Sequence, residues 1–292
     1  MRVGFIGLGT MGLPMAQRLL GAGHLLACSS RSPAPAEALR DLGATTPPMA
    51  GVVATSEVTF LCLPDDAAVA AVVRQILPSV ANKTLVDCST TSPATAVAMG
   101  ALVTQAGGDY VDAPVSGGPS GARNGTLAAM IGGAAASFEK ILPAISAFAS
   151  HVRLVGGIGT GQVVKLCNQA LVGAQMLALA ECAELVQRAG IDASHLHDAI
   201  LHSTGDCVMA RTRFPVPGVV PDSPASNDWR PDFTTALMAK DLRIAADYAN
   251  EREVPLGSVG VLLDLLARSG AEGNDGKDWS SFAILLAKRP TP

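Results

Sequence analysis

Short apolar, β-branched runs alternate with helix-period stretches over the first half of the chain, and that alternation predicts a parallel sheet with helical crossovers. Strands are predicted at Val3–Ile6, Leu25–Ser29, Val58–Leu63, Thr84–Asp87, Tyr110–Ala113 and Leu127–Ile131, with a last one near Val152–Val155. Helical periods fall between them, for example over Ala67–Leu77 and Pro93–Gln105. After "LVGGIGTG", which ends at Gly161, long Ala- and Leu-rich helical patterns take over. The first of these, Gln162–Ala189, is apolar on most faces, which predicts burial between domains or between subunits. The Pro-rich stretch Phe214–Phe233 interrupts the helical half, and loops of that length in a compact domain tend to be functional. The charged "EGNDGKDWSS" (Glu272–Ser281) reads as a solvated loop that caps the final helix. The expectation is therefore a doubly wound α/β domain over residues 1–160 and an all-helical domain over 161–292.

Composition narrows the function classes. The 292 residues are 49% hydrophobic and 16% charged, which leaves little room for disorder and suits a compact enzyme. Lys and Arg number 21 against 25 Asp and Glu, a formal charge of −4. No global positive field draws phosphate backbones, so nucleic acid is not expected as a partner. The six cysteines form no CxxC pair, and most lie in apolar runs, a usage that points to a reducing cytoplasm. The apolar N-terminus is broken by four glycines and a proline within twenty residues, which marks folded structure rather than a signal peptide. No stretch reaches about 18 uninterrupted apolar residues, so no membrane span is expected. The five histidines offer no metal constellation.

Gly7-Leu8-Gly9-Thr10-Met11-Gly12 fits GxGxxG, directly after the first predicted strand and before an apolar-periodic helix. Glycines there serve a tight turn, close backbone approach to a pyrophosphate and helix-to-strand packing, and the helix N-terminus favours anions. In that context the first domain reads as a Rossmann dinucleotide-binding domain. An NAD site would place an acid at the end of the second strand, but here that strand runs out as Ser29-Ser30-Arg31-Ser32. A guanidinium with no acid beside it suits a 2′-phosphate, so NADP is expected ahead of NAD; Arg31 as an ordinary surface cation is the alternative. Further ligand contacts are expected at the ends of later strands, where Leu63-Pro64 and Ser89-Thr90 stand, although the latter also suit a helix cap. In "DAPVSGGPSGARNGTL", Gly117 and Gly118 follow Ser116, and successive N–H groups in such a run can cradle a carboxylate; a plain turn between strands is the alternative.

Lys165 stands in "GQVVKLCNQALVG", about one turn into an otherwise apolar helix. Lysine is rarely buried unpaired. Burial and the N-terminal dipole would both lower its pKa, which would suit proton exchange with a substrate. A snorkelling lysine at a domain edge is the plain alternative.

Taken in order, "GFIGLGTMGLPMA", "DCSTTSP", "DAPVSGGPSGARNGTLAAMIGG", "GQVVKLCNQ" and "KDL" at Lys240–Leu242 resemble the β-hydroxyacid dehydrogenases over nearly the whole chain. The resemblance implies a Rossmann domain, a helical second domain that contributes to homodimers or homotetramers, and hydride transfer between a nicotinamide cofactor and a short 3-hydroxy acid. It implies Lys165 as the general acid/base, with Ser116, Gly117 and Gly118 holding the substrate carboxylate. Leu63, Pro64, Thr90 and Lys240 would contact the cofactor, and Phe233 would lie near the nicotinamide. Two positions depart from the pattern. An acid is usual where Ser30 stands, and the motif runs Lys-x-x-Asn-Asn, whereas here the second Asn, a substrate contact, is Gln169.

Within the family, "PVPGVVPDSPASNDW", "FTTALMAKDL" and "KDWSS" most resemble the members acting on 3-hydroxyisobutyrate, so the resemblance implies oxidation of that acid to methylmalonate semialdehyde. The rival within the chemistry is NADPH-dependent reduction of tartronate, glyoxylate or succinate semialdehyde. Rivals of another class are an imine reductase, against which Lys165 argues, and a non-catalytic nucleotide-binding module.

Overall fold

The structure, a computed structural model, describes residues 1–288. It divides into two compact units, Met1–Lys165 and Leu166–Pro292. The boundary falls inside one long helix, Thr160–Arg188.

The first unit is built on eight strands: β1 (Arg2–Ile6), β2 (Leu25–Ser29), β3 (Val58–Leu61), β4 (Thr84–Asp87), β5 (Asp109–Asp112), β6 (Val115–Ser116), β7 (Leu127–Gly132) and β8 (Ala149–Gly156). The order is β2-β1-β3-β4-β5-β7-β6, with β8 paired to β7. The first five are parallel. β7 runs antiparallel to β5 and β6, and the link from β5 to β7 passes through β6 and the Gly118–Asn124 helix. The two-residue β6 is absent from the sequence prediction, being too short to carry a period.

Register explains the two-sided core. Phe5, Phe60, Val86 and Val111 stand side by side across β1, β3, β4 and β5 and join one apolar cluster. Their neighbours Ile6, Leu61, Leu85 and Tyr110 belong to another cluster, as the two-residue period of a strand requires. Phe60 also meets Phe148 edge to face at 5.4 Å between centroids.

Asp112, at the end of β5, is fully buried. Its Oδ1 accepts from the Gly159 N–H at 2.7 Å and its Oδ2 from the Gln162 N–H at 3.0 Å. The carboxylate therefore satisfies donors at the start of the Thr160–Arg188 helix, where no intrahelical partner exists. That helix is long and apolar enough to cross a membrane by length and composition alone. Its buried residues include Gln162, Lys165 and Gln169, which suits a core helix. Val164, Leu171 and Leu185 remain exposed on it.

The second unit is helical, with Thr235–Asn250 and Gly257–Ser269 among its longer elements. Met176, Phe214, Leu242, Leu262 and Phe282 share its core. The segment 272–281 differs from the solvated loop expected of it: Asp278, Trp279, Ser280 and Ser281 are all buried. The reason is Asp278, which pairs with Arg213 at 2.5 Å and accepts from the Ser280 N–H and hydroxyl. A charge compensated in this way can be buried where an unpaired one cannot.

Burial raises the Asp112 pKa to about 6, against the opposing pull of the Gly159 and Gln162 N–H groups. A raised folded-state pKa gives stability that is complete below the unfolded value of about 3.9 and is lost as pH rises through the folded one. Asp112→Asn cannot titrate, so its stability deficit relative to the parent is expected to be larger at pH 4.5 than at pH 7.5. Urea denaturation of both proteins at the two pH values measures this, and an equal deficit at both would refute it.

Candidate active site

The parallel register places the strand ends Ile6, Leu61, Asp87 and Asp112 in line. The segments that follow them, carrying Gly7–Gly12, Leu63-Pro64, Ser89-Thr90 and Ser116–Gly118, leave the sheet at that one edge. Ligands of open α/β sheets bind at such an edge.

The three motif glycines differ in what surrounds them. Gly7 has φ +98°, and a Cβ on it would lie 2.3 Å from the Cys62 carbonyl oxygen. A Cβ on Gly12 would lie 1.9 Å from the Gly7 carbonyl oxygen, so the Gly12–Gly21 helix can approach the turn only without a side chain there. Gly9 has nothing within 4 Å of its Cβ direction. Open space beside a backbone that leads into a helix N-terminus fits a pyrophosphate. Gly9 and Thr10 line a cavity of about 390 Å³ together with Arg123, a cation of the glycine-rich stretch after Ser116 that no local sequence pattern singles out. The Gly7 N–H donates to Ser29 O at 3.1 Å, which sets Ser30 and the exposed Arg31 beside the turn.

The next two loops are tied together. The Leu63 N–H donates to Ser89 Oγ at 2.9 Å, and the Ser89 N–H donates to Asp87 Oδ1 at 2.9 Å. Asp87 is fully buried, and its carboxyl pKa is raised to about 6 by that burial. Gln162 completes the lock: its Oε1 accepts from the Thr91 N–H at 3.1 Å and its Nε2 donates to Ser89 O at 2.8 Å. Thr90 is held between those two contacts. Neither Gln162 nor Asp112 stands out from the sequence as a site residue, since their partners lie 47 to 73 positions away.

Gly117 and Gly118 both take positive φ, +130° and +65°, so the turn after Ser116 needs residues without a Cβ. Ser116 pairs with Ala128 of β7. Farther along β7, the helix start abuts the strand: a Cβ on Gly161 would lie 2.4 Å from Met130 O. Lys165 follows in the second turn of that helix and is 6% exposed.

In the second unit, Lys240 and Gln169 are brought together by Asp241. Gln169 Nε2 donates to Asp241 Oδ2 at 2.8 Å, and Lys240 Nζ lies 3.0 Å from Asp241 Oδ1. Phe233 is partly buried against the helical core, and its carbonyl accepts from the Trp279 N–H at 3.0 Å. Among the described residues no group of three or more His, Cys, Asp or Glu side chains is placed to hold a metal ion.

A parallel sheet whose first strand runs through an open glycine turn into a helix is the framework of a dinucleotide-dependent oxidoreductase. A family described as the NAD binding domain of 6-phosphogluconate dehydrogenase matches residues 2–157. A second, described as NAD-binding of NADP-dependent 3-hydroxyisobutyrate dehydrogenase, matches residues 159–286. A probable 3-hydroxyisobutyrate dehydrogenase of Mycobacterium tuberculosis is 37% identical over 291 residues, 98% of each chain. The 2-hydroxy-3-oxopropionate reductase of Escherichia coli is 35% identical over 291 residues, 98% of this chain and 97% of its own. The solved structure of Mycobacterium tuberculosis 3-hydroxyisobutyrate dehydrogenase with L-serine superposes with a TM-score of 0.91 at 34% identity, covering 98% of this chain and 99% of that one. The chain belongs to the β-hydroxyacid dehydrogenase family.

The glycine turn supplies a direct check on the cofactor site. Gly9→Ala is expected to leave the melting temperature within about 3 °C of the parent, while weakening dinucleotide binding at least about tenfold. Gly12→Ala is expected to destabilise by about 3 kcal/mol or cost the soluble fold, because backbone must move. Thermal melts and cofactor fluorescence titrations of both variants separate the two roles; identical behaviour would contradict it.

Proposed function

We propose that this enzyme oxidises 3-hydroxyisobutyrate to methylmalonate semialdehyde, with Lys165 as general acid/base. The observation that carries the reading is a lysine only 6% exposed, on a helix whose start is anchored by Asp112 and abuts the strand next to Ser116. The names of the relatives support it, as does the similar structure solved with L-serine, itself a 3-hydroxy acid.

The Ser116–Gly118 turn holds the substrate carboxylate and so orients the hydroxyl-bearing carbon, a positioning effect. Lys165 takes the hydroxyl proton during oxidation and returns it to the carbonyl oxygen during reduction. The dinucleotide, when bound, would supply the hydride chemistry that accompanies this proton transfer. Gly7, Gly9, Thr10, Met11 and Gly12 would bind the pyrophosphate and Leu63, Pro64 and Thr90 the rest of the dinucleotide, and the family resemblance assigns cofactor contacts to Lys240 and Phe233 as well. Gln169 contacts the substrate in place of the family's asparagine. Ser30 and Arg31 favour NADP over NAD.

A second reading keeps the site and reverses the flow: NADPH-driven reduction of tartronate semialdehyde, favoured by Arg31 and by the name of the Escherichia coli relative. The enzyme works in the cytoplasm on a small hydroxy acid or semialdehyde, independently of membranes and nucleic acid. The exposed Val164, Leu171 and Leu185 favour a homodimer or homotetramer.

Lys165→Ala is expected to lower kcat at least about 100-fold while cofactor affinity stays within about threefold of the parent. Steady-state kinetics on a panel of hydroxy acids and semialdehydes, with both cofactors, test this; wild-type turnover in the variant would sink the assignment. Ser30→Asp combined with Arg31→Leu is expected to move the ratio of kcat/KM values toward NAD by about tenfold or more. A parent that already prefers NAD would reject the cofactor reading.

A further inference from the structure

We propose that Gln162 is a positioning residue that fixes Thr90 relative to Lys165, an inference resting on the reading that Thr90 meets the cofactor and Lys165 exchanges the substrate proton. Gln162 is fully buried at the start of the Thr160–Arg188 helix. Its amide is divided between two backbone groups that flank Thr90: Nε2 donates to Ser89 O at 2.8 Å, and Oε1 accepts from the Thr91 N–H at 3.1 Å. Its own N–H donates to Asp112 Oδ2 at 3.0 Å.

A primary amide carries one donor end and one acceptor end, so a single side chain pairs with the loop in the way a neighbouring strand would. Both bonds are buried, where leaving either group unpaired is costly. The loop is tied at its two ends as well: the Ser89 N–H donates to Asp87 Oδ1 and the Ser92 N–H to Asp66 Oδ1, each at 2.9 Å. Those carboxylates hold it to β4 and to the Asp66–Ile76 helix, whereas Gln162 joins it to the helix that carries Lys165. Lys165 follows three positions later, a spacing that puts two side chains next to each other on one helix face. One turn of helix therefore sets the relation between a cofactor contact and the acid/base. The carboxylate turn after Ser116 is held separately, by the pairing of β6 with β7.

Gln162→Met keeps the length of the side chain and removes both bonds. It is expected to raise the NADPH dissociation constant about tenfold and to lower kcat about tenfold, while KM for 3-hydroxyisobutyrate stays within about threefold. Thr90→Ala is expected to weaken NADPH binding in the parent and to add less than about twofold in the Gln162→Met background, because the contact is already displaced. Gln162→Glu is the conservative variant. Buried with Asp66, Asp87 and Asp112 in the same network, its carboxyl is held protonated at pH 6 and makes both bonds. Its NADPH dissociation constant, relative to the parent at the same pH, is expected to be within about twofold at pH 6 and several times higher at pH 8.5. This rescue decides the matter if Gln162→Met does not fold. A merely structural role would lower the melting temperature and leave the dissociation constant, kcat and pH dependence at parent values. That result, or multiplicative effects in the cycle with Thr90, would overturn the proposal. If the parent turns over no hydroxy acid, the proposed function fails, and the cycle over Gln162 and Thr90 in NADPH binding still decides this inference.

Discussion

Asp112 holds a buried carboxylate in a slot that only glycines can line, and the position of the long helix follows from that contact. A Cβ on Gly132 would lie 2.3 Å from Asp112 Oδ1, and one on Gly161 2.7 Å from Oδ2. The Gly159 N–H completes the slot from the loop before the helix. Moving a carboxylate out of water is costly unless its lone pairs are satisfied, and here the N–H groups of a helix start do so where the dipole favours negative charge. The result places Lys165, about one turn beyond Gly161 on the same helix, in a fixed relation to the sheet.

The same economy of parts appears at the sheet edge. Parallel register delivers four segments to one side, and a few side chains then interlock them: Ser89 with Leu63, and Gln162 with Ser89 and Thr91. Gln162 belongs to the same helix start that Asp112 anchors. The loops that face the ligand edge and the helix that carries the candidate acid/base are thus braced by one polar network, and a site preorganised in this way keeps its geometry without help from the substrate.

The helical unit keeps two buried acids, each matched to a cation. Asp278 pairs with Arg213 and orders the segment after 272, while Asp241 pairs with Lys240 and turns the Gln169 amide. Breaking such a pair leaves an uncompensated buried charge, which is strongly destabilising. The first of these pairs serves the fold, and the second lies among the residues assigned to the ligands.

Much of this was legible in the chain itself. The strands β1, β2 and β4 follow from apolar runs bounded by turn residues, and Gly7–Gly12 with Lys165 could be picked out because each belongs to a local pattern with a local physical cause. What the chain alone left hidden was the antiparallel β7, the two-residue β6, the buried state of Asp278 and the polar ties made by Asp112, Gln162 and Asp241. A strand's direction depends on its partner rather than on its own side chains. An acid reads as solvated until the cation that neutralises it, 65 positions away in the case of Arg213, is brought alongside. Local periodicity and steric need are properties of neighbouring residues, so the sequence carries them openly; compensation of buried polar groups is a property of distant pairs, and only the tertiary structure decides it.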